Sequence, residues 1–351
     1  MPKIKVKIAS RPRDKYPVFI KEGCINSLPD FLKENNIGKK YAILTDSKTK
    51  KIHGESLLKF LKKNKIDAEL ISFDQGEKSK TLKTVAQLAE EMIKKHFDRN
   101  SAIIILGGGV VGDLGGFLAS VFMRGISYIQ IPTTLLAIVD SAIGGKTGVD
   151  LEGGKNLIGT TCQPKAVFVD INYLKTLPQN QIINGLCEVI KYGIIKDKGL
   201  FKYIEKNLEK ILNKDAKALE HIIEKSIKIK VKIIEKDERE TNDERILFNY
   251  GHTFGHALEK MSNYTLLHGF AISIGIVMIN CLAVEKKIMK EKDAERIKTL
   301  LKRAGLPTTS MKKPGTKDIL SDKKRSGDYM NFVFAKKIGK AFSQKEKITN
   351  L

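Results

Sequence analysis

The pattern of apolar and polar positions divides the chain into two textures. In the first half, short apolar runs alternate with amphipathic stretches. KKYAILTD (39–46) reads as a buried strand ending in Asp46, and ESLLKFLKKN (55–64) follows with helical periodicity. AELISF (68–73) is a second strand, TLKTVAQLAEEMIKKHF (81–97) an amphipathic helix, SAIIIL (101–106) a third strand and ISYIQIP (126–132) a fourth. Strand–helix–strand order of this kind predicts a parallel sheet, here a Rossmann-like α/β domain over residues 1–177. From about Leu177 the segments become long and helical (181–236, 252–262, 270–289, 293–304), and a mostly α-helical domain is expected over residues 178–351. A chain of 351 residues favours two cores over one. No internal repeat is visible.

Composition changes this picture little. The apolar fraction of 42% is that of a soluble globular protein. No apolar run reaches the roughly 18–20 residues of a membrane span, and MPKIKVKIAS lacks the apolar centre of a signal peptide. Cys24, Cys162, Cys187 and Cys281 form neither a CxxC nor a disulfide framework, so a reducing cytoplasm fits. The charge is unusual, at +23. Its lysines, however, interleave with acids on amphipathic stretches such as 207–236, with no basic stripe carrying aromatic side chains and no Trp. Solvated helix faces account for that better than nucleic-acid binding, and the excess positive charge could steer an anionic substrate.

The candidate chemistry is concentrated between residues 106 and 160. LGGGVVGDLGGF follows a strand and opens an apolar helix, and Gly107, Gly109 and Gly112 satisfy G-x-G-x-x-G. Such glycines bring backbone amides close to a pyrophosphate. The acidic residue expected about 20 positions later is missing, and Asp46 could hold an adenosine ribose instead. Gly145-Lys146-Thr147 resembles the end of a phosphate-binding P-loop, but Asp140 stands where its first glycine belongs, which argues against ATP. Lys146 and Lys155, each beside glycines and the second beside Asn156, suit a phosphorylated substrate.

Three of the six histidines, His252, His256 and His268, fall within 17 residues. His252 and His256 lie one helical turn apart and could both bind a metal; alternatively His252 pairs with His268, leaving His256 for proton or phosphate chemistry; or all three simply pack. Glu188, alone on an apolar stretch with Lys191 three residues on, is the candidate carboxylate, with a buried ion pair as the plain alternative.

GGGVVGD, PTTLLAIVDSAIGGKT, GKN, EVIKYG and NYGHTFGHALE with the later LHG, in order and with matching gaps from about residue 40 to 290, together resemble the 3-dehydroquinate synthase family of sugar-phosphate cyclases. The resemblance implies a bound NAD, one divalent metal (zinc or cobalt), a cleft between the domains and usually a homodimer. It implies metal ligands Glu188, His252 and His268. It places NAD against Asp46, Gly76, Glu77, Lys80, Gly109, Val110, Val111, Gly112, Asp113, Thr133, Thr134 and Asp140, with Lys146, Lys155, Tyr173 and Thr176 beside them. Substrate contacts fall on Arg124, Lys146, Lys155, Asn156, Lys191, Lys230, Arg245, Asn249 and His256, with Lys323 or Lys324 as a further phosphate contact. The implied reaction converts 3-deoxy-D-arabino-heptulosonate 7-phosphate to 3-dehydroquinate and phosphate, by transient oxidation, elimination, re-reduction and aldol closure. A sibling cyclase, or a metal-dependent polyol-type dehydrogenase of related fold, is the alternative. The chain departs from the family pattern at Asn180-Gln181, where an Arg-Glu pair is usual, and between Glu240 and Arg245, which hold one extra residue.

Overall fold

The computed structural model describes residues 15–237, 243–310, 314–315, 325–326 and 329–347. Six strands form one parallel sheet: β1 (Val18–Ile20), β2 (Tyr41–Asp46), β3 (Ala68–Phe73), β4 (Ala102–Gly107), β5 (Ser127–Pro132) and β8 (Ala166–Val169). Between the last two, β6 (Lys146–Leu151) and β7 (Gly154–Thr161) make a separate antiparallel hairpin. The spatial order is β1-β8-β5-β4-β2-β3. From β2 the chain moves outward to β3 and then crosses back to β4 on the other side. The two strands flanking that reversal, β2 and β4, end in Asp46 and in the glycine run.

The sequence pattern explains why both faces of this sheet are covered. Ile103 and Ile105 of β4 point to the side packed by Val85 and Leu88 of α4 (Leu82–Lys94) and Leu114 and Phe117 of α5 (Gly109–Val121). Their neighbours Ile104 and Leu106 face Leu28 and Leu32 of α1 (Leu28–Glu34) and Leu57 and Leu61 of α3 (Glu55–Lys63). Side chains alternate across a strand, so a strand covered on both faces reads as an unbroken apolar run. A one-turn α2 (Ser47–Thr49), capped by the Asp46 carboxylate accepting from the Lys48 and Thr49 amides at 2.9 and 2.8 Å, leads through a π-helical turn at Lys50–Gly54 into α3.

After a short α6 (Asn172–Lys175) the chain turns helical: α7 (Gln179–Ile195), α8 (Lys198–Leu212), α9 (Ala216–Ile234), α10 (Asp243–Ile246), α11 (His252–Met261), α12 (His268–Glu285) and α13 (Glu291–Arg303). The single helical stretch expected over 181–236 is thus three helices. Asp197 and Asp215 cap the second and third, accepting from the Leu200 and Ala218 amides at 3.0 and 2.8 Å. α12 is apolar enough and, at 18 residues, long enough for a minimal membrane span. Burial accounts for this: Ile272, Ile276 and Ile279 lie in the same core as Leu186 and Ile190 of α7 and Ile222 of α9. Its first turn runs so close to α7 that a Cβ on Gly269 would lie 2.0 Å from the Asn184 carbonyl oxygen.

Three features were not expected from the pattern. β1 and β8 extend the sheet beyond the four strands read from sequence. The glycine–lysine segment after residue 145 is the hairpin β6–β7, whose strands approach so closely that a Cβ on Gly159 would meet the Thr147 carbonyl oxygen at 2.1 Å. The helical half also carries an antiparallel sheet of β9 (Arg325–Ser326), β10 (Tyr329–Lys337) and β11 (Lys340–Lys347). It packs Phe332 and Phe334 against the helices.

Candidate active site

One cleft of about 910 Å³ runs from the carboxyl ends of β2 and β4 to the starts of α11 and α12. Its two ends are built differently.

At the sheet end, Asp46 closes β2, and Gly107–Gly109 lead from β4 into α5. Open α/β sheets take ligands in the crevice beyond the strand ends where strand order reverses, and these residues stand at that point. The glycines answer local crowding. A Cβ on Gly107 would sit 2.6 Å from the Val111 side chain, and one on Gly109 would lie 3.3 Å from Ser141 Oγ. No side chain caps α5, so its first amides face the cleft. Gly76, Glu77, Lys80, Gly109, Val110, Val111, Asp113, Thr133, Thr134, Tyr173 and Thr176 all line the same space, while Gly112 lies one turn inside α5 beside Gln130. Lys80, only 3% exposed, donates to Asp113 Oδ2 at 2.6 Å and to Asn156 Oδ1 at 2.5 Å, tying the hairpin to the sheet. Burial alone would lower the Lys80 pKa; the Asp113 carboxylate more than reverses this and raises it.

At the helical end, Glu188 of α7, His252 at the start of α11 and His268 at the start of α12 converge. His252 Nε2 and His268 Nε2 stand 3.7 and 3.6 Å from Glu188 Oε1, and one ligand atom from each residue fits within 4.8 Å of the other two. The separation along the chain is bridged by helix packing: α12 crosses both α7 and α11 through Gly269, Gly255 and Gly275. Glu188 is wholly buried, and neither carboxylate oxygen accepts a hydrogen bond. The Lys191 ammonium stands against Oε2 and also donates to the Phe248 carbonyl at 2.8 Å. Burial opposes ionisation of Glu188, but the Lys191 charge and the His268 contact outweigh it and hold the carboxyl below its usual range.

Each imidazole is oriented from behind. His252 Nδ1 donates to the Tyr250 carbonyl at 3.1 Å, leaving the Nε2 lone pair toward Glu188. His268 Nδ1 faces Glu259 Oε2 at 3.4 Å, a carboxylate–histidine pair of the kind that fixes ligating histidines. With carboxylates on both sides, and despite burial, the His268 pKa rises to about 10. Two imidazole nitrogens and one carboxylate oxygen, each backed in this way, suit a zinc-like cation with an open coordination position. His256 is not a member of the trio. Its ring lies 5.2 Å from that of His252 and 6.3 Å from that of His268, on the cleft wall.

Between the two ends lies Asp140. Burial works against its carboxylate, but the Lys230 and Lys191 ammonium groups and hydrogen bonds from Lys230 at 2.6 Å and Tyr192 at 3.0 Å keep its pKa below the ordinary value. Lys146, Lys155, Asn156 and Asn249 also line the cleft. Lys155 spans its mouth, with Nζ 3.3 Å from Glu77 Oε1 and 4.5 Å from the centre of the Tyr264 ring. Lys191, Lys230 and Arg245 are buried beneath the floor rather than on it. Arg124 stands apart, exposed beyond α5 with a left-handed backbone (φ 69°). Glu240, Lys323 and Lys324 lie outside the described residues.

Sequence reasoning passed over Glu259, Tyr264 and His53. Glu259 had a signal: it follows His252 by seven residues and His256 by three, on the same stripe of one helix.

Known proteins resemble this chain over nearly its whole length. Residues 70–184 match the family described as 3-dehydroquinate synthase N-terminal, and residues 185–325 match 3-dehydroquinate synthase C-terminal. The 3-dehydroquinate synthase of Desulforamulus reducens is 42% identical over 329 residues, covering 92% of this chain and 91% of the relative. Among solved structures, 2-deoxy-scyllo-inosose synthase complexed with carbaglucose-6-phosphate, NAD+ and Co2+ superposes with a TM-score of 0.86 at 28% identity, over 95% of this chain and 94% of that one. ValA, the 2-epi-5-epi-valiolone synthase of Streptomyces hygroscopicus subsp. jinggangensis, shares the fold at 23% identity with a TM-score of 0.88, over 97% and 95% of the two chains. With both halves of the family signature matched and relatives this similar over nearly the whole length, the chain belongs to the 3-dehydroquinate synthase family.

Proposed function

We propose that this chain converts 3-deoxy-D-arabino-heptulosonate 7-phosphate to 3-dehydroquinate and inorganic phosphate, as a phosphate-eliminating carbon–oxygen lyase. The observation that carries the reading is proximity: the three-ligand metal set reaches, through His268, the same cleft that the glycine run of α5 lines. Asp46, Lys80 and the α5 amides would hold NAD, which would supply a hydride acceptor, and Glu188, His252 and His268 would hold a Zn2+ or Co2+ ion, which would supply a Lewis acid.

The chain's own groups supply position and charge. Lys146, Lys155 and Asn156 come from the hairpin and offer cations and an amide to an anionic substrate. His256, on the opposite wall, is placed for the phosphate or for a proton in transit. Asp140, kept ionised by Lys230, accepts from a substrate hydroxyl near the nicotinamide end. These contacts contribute by orienting the leaving phosphate and balancing its charge. Arg245, Lys191 and Lys230 support the floor, and Arg124 is exposed beyond α5.

The functional halves are taken to meet at Leu177–Pro178, between β8 and α7. A homodimer working in the cytoplasm completes the proposal; the four free thiols suit a reducing compartment. The test is an incubation with the heptulosonate phosphate, catalytic NAD and zinc. Equimolar phosphate and dehydroquinate, with no net NADH, are expected. Net reduction of NAD without phosphate release would favour the polyol-dehydrogenase alternative instead.

A further inference from the structure

His53 has no part in the chemistry described above, yet it lines the cleft just beyond Asp46. It sits on the π-helical turn Lys50–Gly54, a local widening of the helix that re-aims side chains and recurs at functional sites. Its ring meets Tyr173 edge-on, with centroids 4.7 Å apart. Its Nε2 is 2.9 Å from Thr176 Oγ1.

The protons in this cluster can be assigned. The Thr176 hydroxyl donates its single proton to the Tyr173 carbonyl at 3.1 Å. Donating there, it accepts from His53, an arrangement in which Nε2 carries the imidazole proton. Burial holds the His53 pKa below its ordinary value, so the ring is neutral near pH 7. In a neutral ring protonated at Nε2, Nδ1 is a bare acceptor. Among the described residues it has no protein partner.

The surroundings indicate what that acceptor meets. Ile52, 42% exposed, precedes His53 in the chain, and Tyr173, Leu177 and Pro178 line the same cleft. An aromatic wall at Tyr173 beside one fixed acceptor suits a flat heterocycle bearing an amino group. Asp46, the natural ribose acceptor, is a few residues before it in the chain. We propose that His53 reads the exocyclic amine of the adenine base, with Nδ1 accepting from that amine and Thr176 fixing the tautomer that makes this possible. The inference rests on the reading of this crevice as an NAD site and adds a residue that selects the base.

The test compares NAD with nicotinamide hypoxanthine dinucleotide, in which an oxo group replaces the amine, measuring Kd by calorimetry on zinc-loaded protein freed of nucleotide. Wild type is expected to bind the hypoxanthine form roughly tenfold more weakly, the worth of one hydrogen bond exchanged for an unfavourable lone-pair contact. His53→Phe keeps the flat ring and removes the acceptor; it should bind the two dinucleotides equally. Thr176→Val, which leaves the imidazole but frees its tautomer, should reduce the preference, and it carries the test if the Phe variant fails to fold. Equal binding by wild type, or a preference that survives in either variant undiminished, overturns the proposal. If wild type binds neither dinucleotide, the NAD reading itself fails and takes this one with it.

Discussion

The two ends of the cleft reach similar precision by opposite means. The nucleotide end is made mainly of backbone: glycines at the tip of a parallel strand, uncapped amides of α5 and one acid at the tip of the neighbouring strand. Its glycines and amides are close in sequence, while Asp46 reaches them through strand pairing, and its buried charge is the Lys80–Asp113 pair. The metal end is made of side chains from three helices, 80 residues apart from Glu188 to His268. It stores buried charge, with Glu188 against Lys191 and His268 between two carboxylates. A backbone site tolerates loss of one side chain because many small contacts share the task. A charge-built site fails when one member is removed, because its partner is left buried and unbalanced.

That difference orders the expected effects of perturbation. Glu188→Ala should be the most severe change: turnover falls to background, metal is lost, and stability drops by about 3 kcal/mol because the buried Lys191 loses its contacting carboxylate and keeps only the charge of Asp140. Turnover, metal content and denaturant unfolding together check this. A stable, metal-replete Glu188→Ala protein would erase the contrast between the two ends.

Acidity should act strongly at the metal end next. With the pKa of His268 raised to about 10, the free protein carries a proton there at neutral pH, and a cation must displace it. Apparent zinc affinity should therefore rise by roughly tenfold per pH unit as pH increases toward that value, with about one proton released per ion. Calorimetry in buffers of different ionisation enthalpy measures the proton count, and a count of zero would contradict a protonated His268 in the free protein.

Glu259→Gln keeps a hydrogen-bond acceptor behind His268 but removes its charge. Zinc affinity should fall roughly 10–100-fold, with little change in melting temperature. A competitive chelator titration reads it, and unchanged affinity would reduce Glu259 to a packing residue. The smallest effect belongs to the other end. Asp46→Ala should cost about 1 kcal/mol through loss of the α2 cap and weaken NAD binding, while Asp46→Asn retains the cap. Thermal unfolding separates the two variants, and an equal loss in both would mean that the carboxylate's charge, not its capping, stabilises β2–α2.

The same contrast explains what the sequence revealed. The glycine segment of the nucleotide end was legible because it is local: an unbroken apolar run, three glycines and a helix period lie within about twenty residues. The metal trio was not. Helical spacing left His252 with either His256 or His268, and only the family resemblance favoured the second. The deciding facts are the approach of α12 to α7 at Gly269 and the backing of His268 by Glu259, which belong to tertiary packing. β1 and β8, at three and four residues, are too short to show a period. The hairpin β6–β7 was hidden because its glycines, required by close cross-strand approach, read as loop. His53 gave no signal at all, since its contact with Thr176 spans 123 residues.

The central claim is that Glu188, His252 and His268, without His256, hold one ion facing the nucleotide crevice. Diffraction from zinc-loaded crystals, recorded on either side of the zinc absorption edge, tests it most directly. A single anomalous peak bounded by Glu188 Oε1, His252 Nε2 and His268 Nε2 is predicted. A peak between His252 and His256, or one remote from Glu188, would contradict the account.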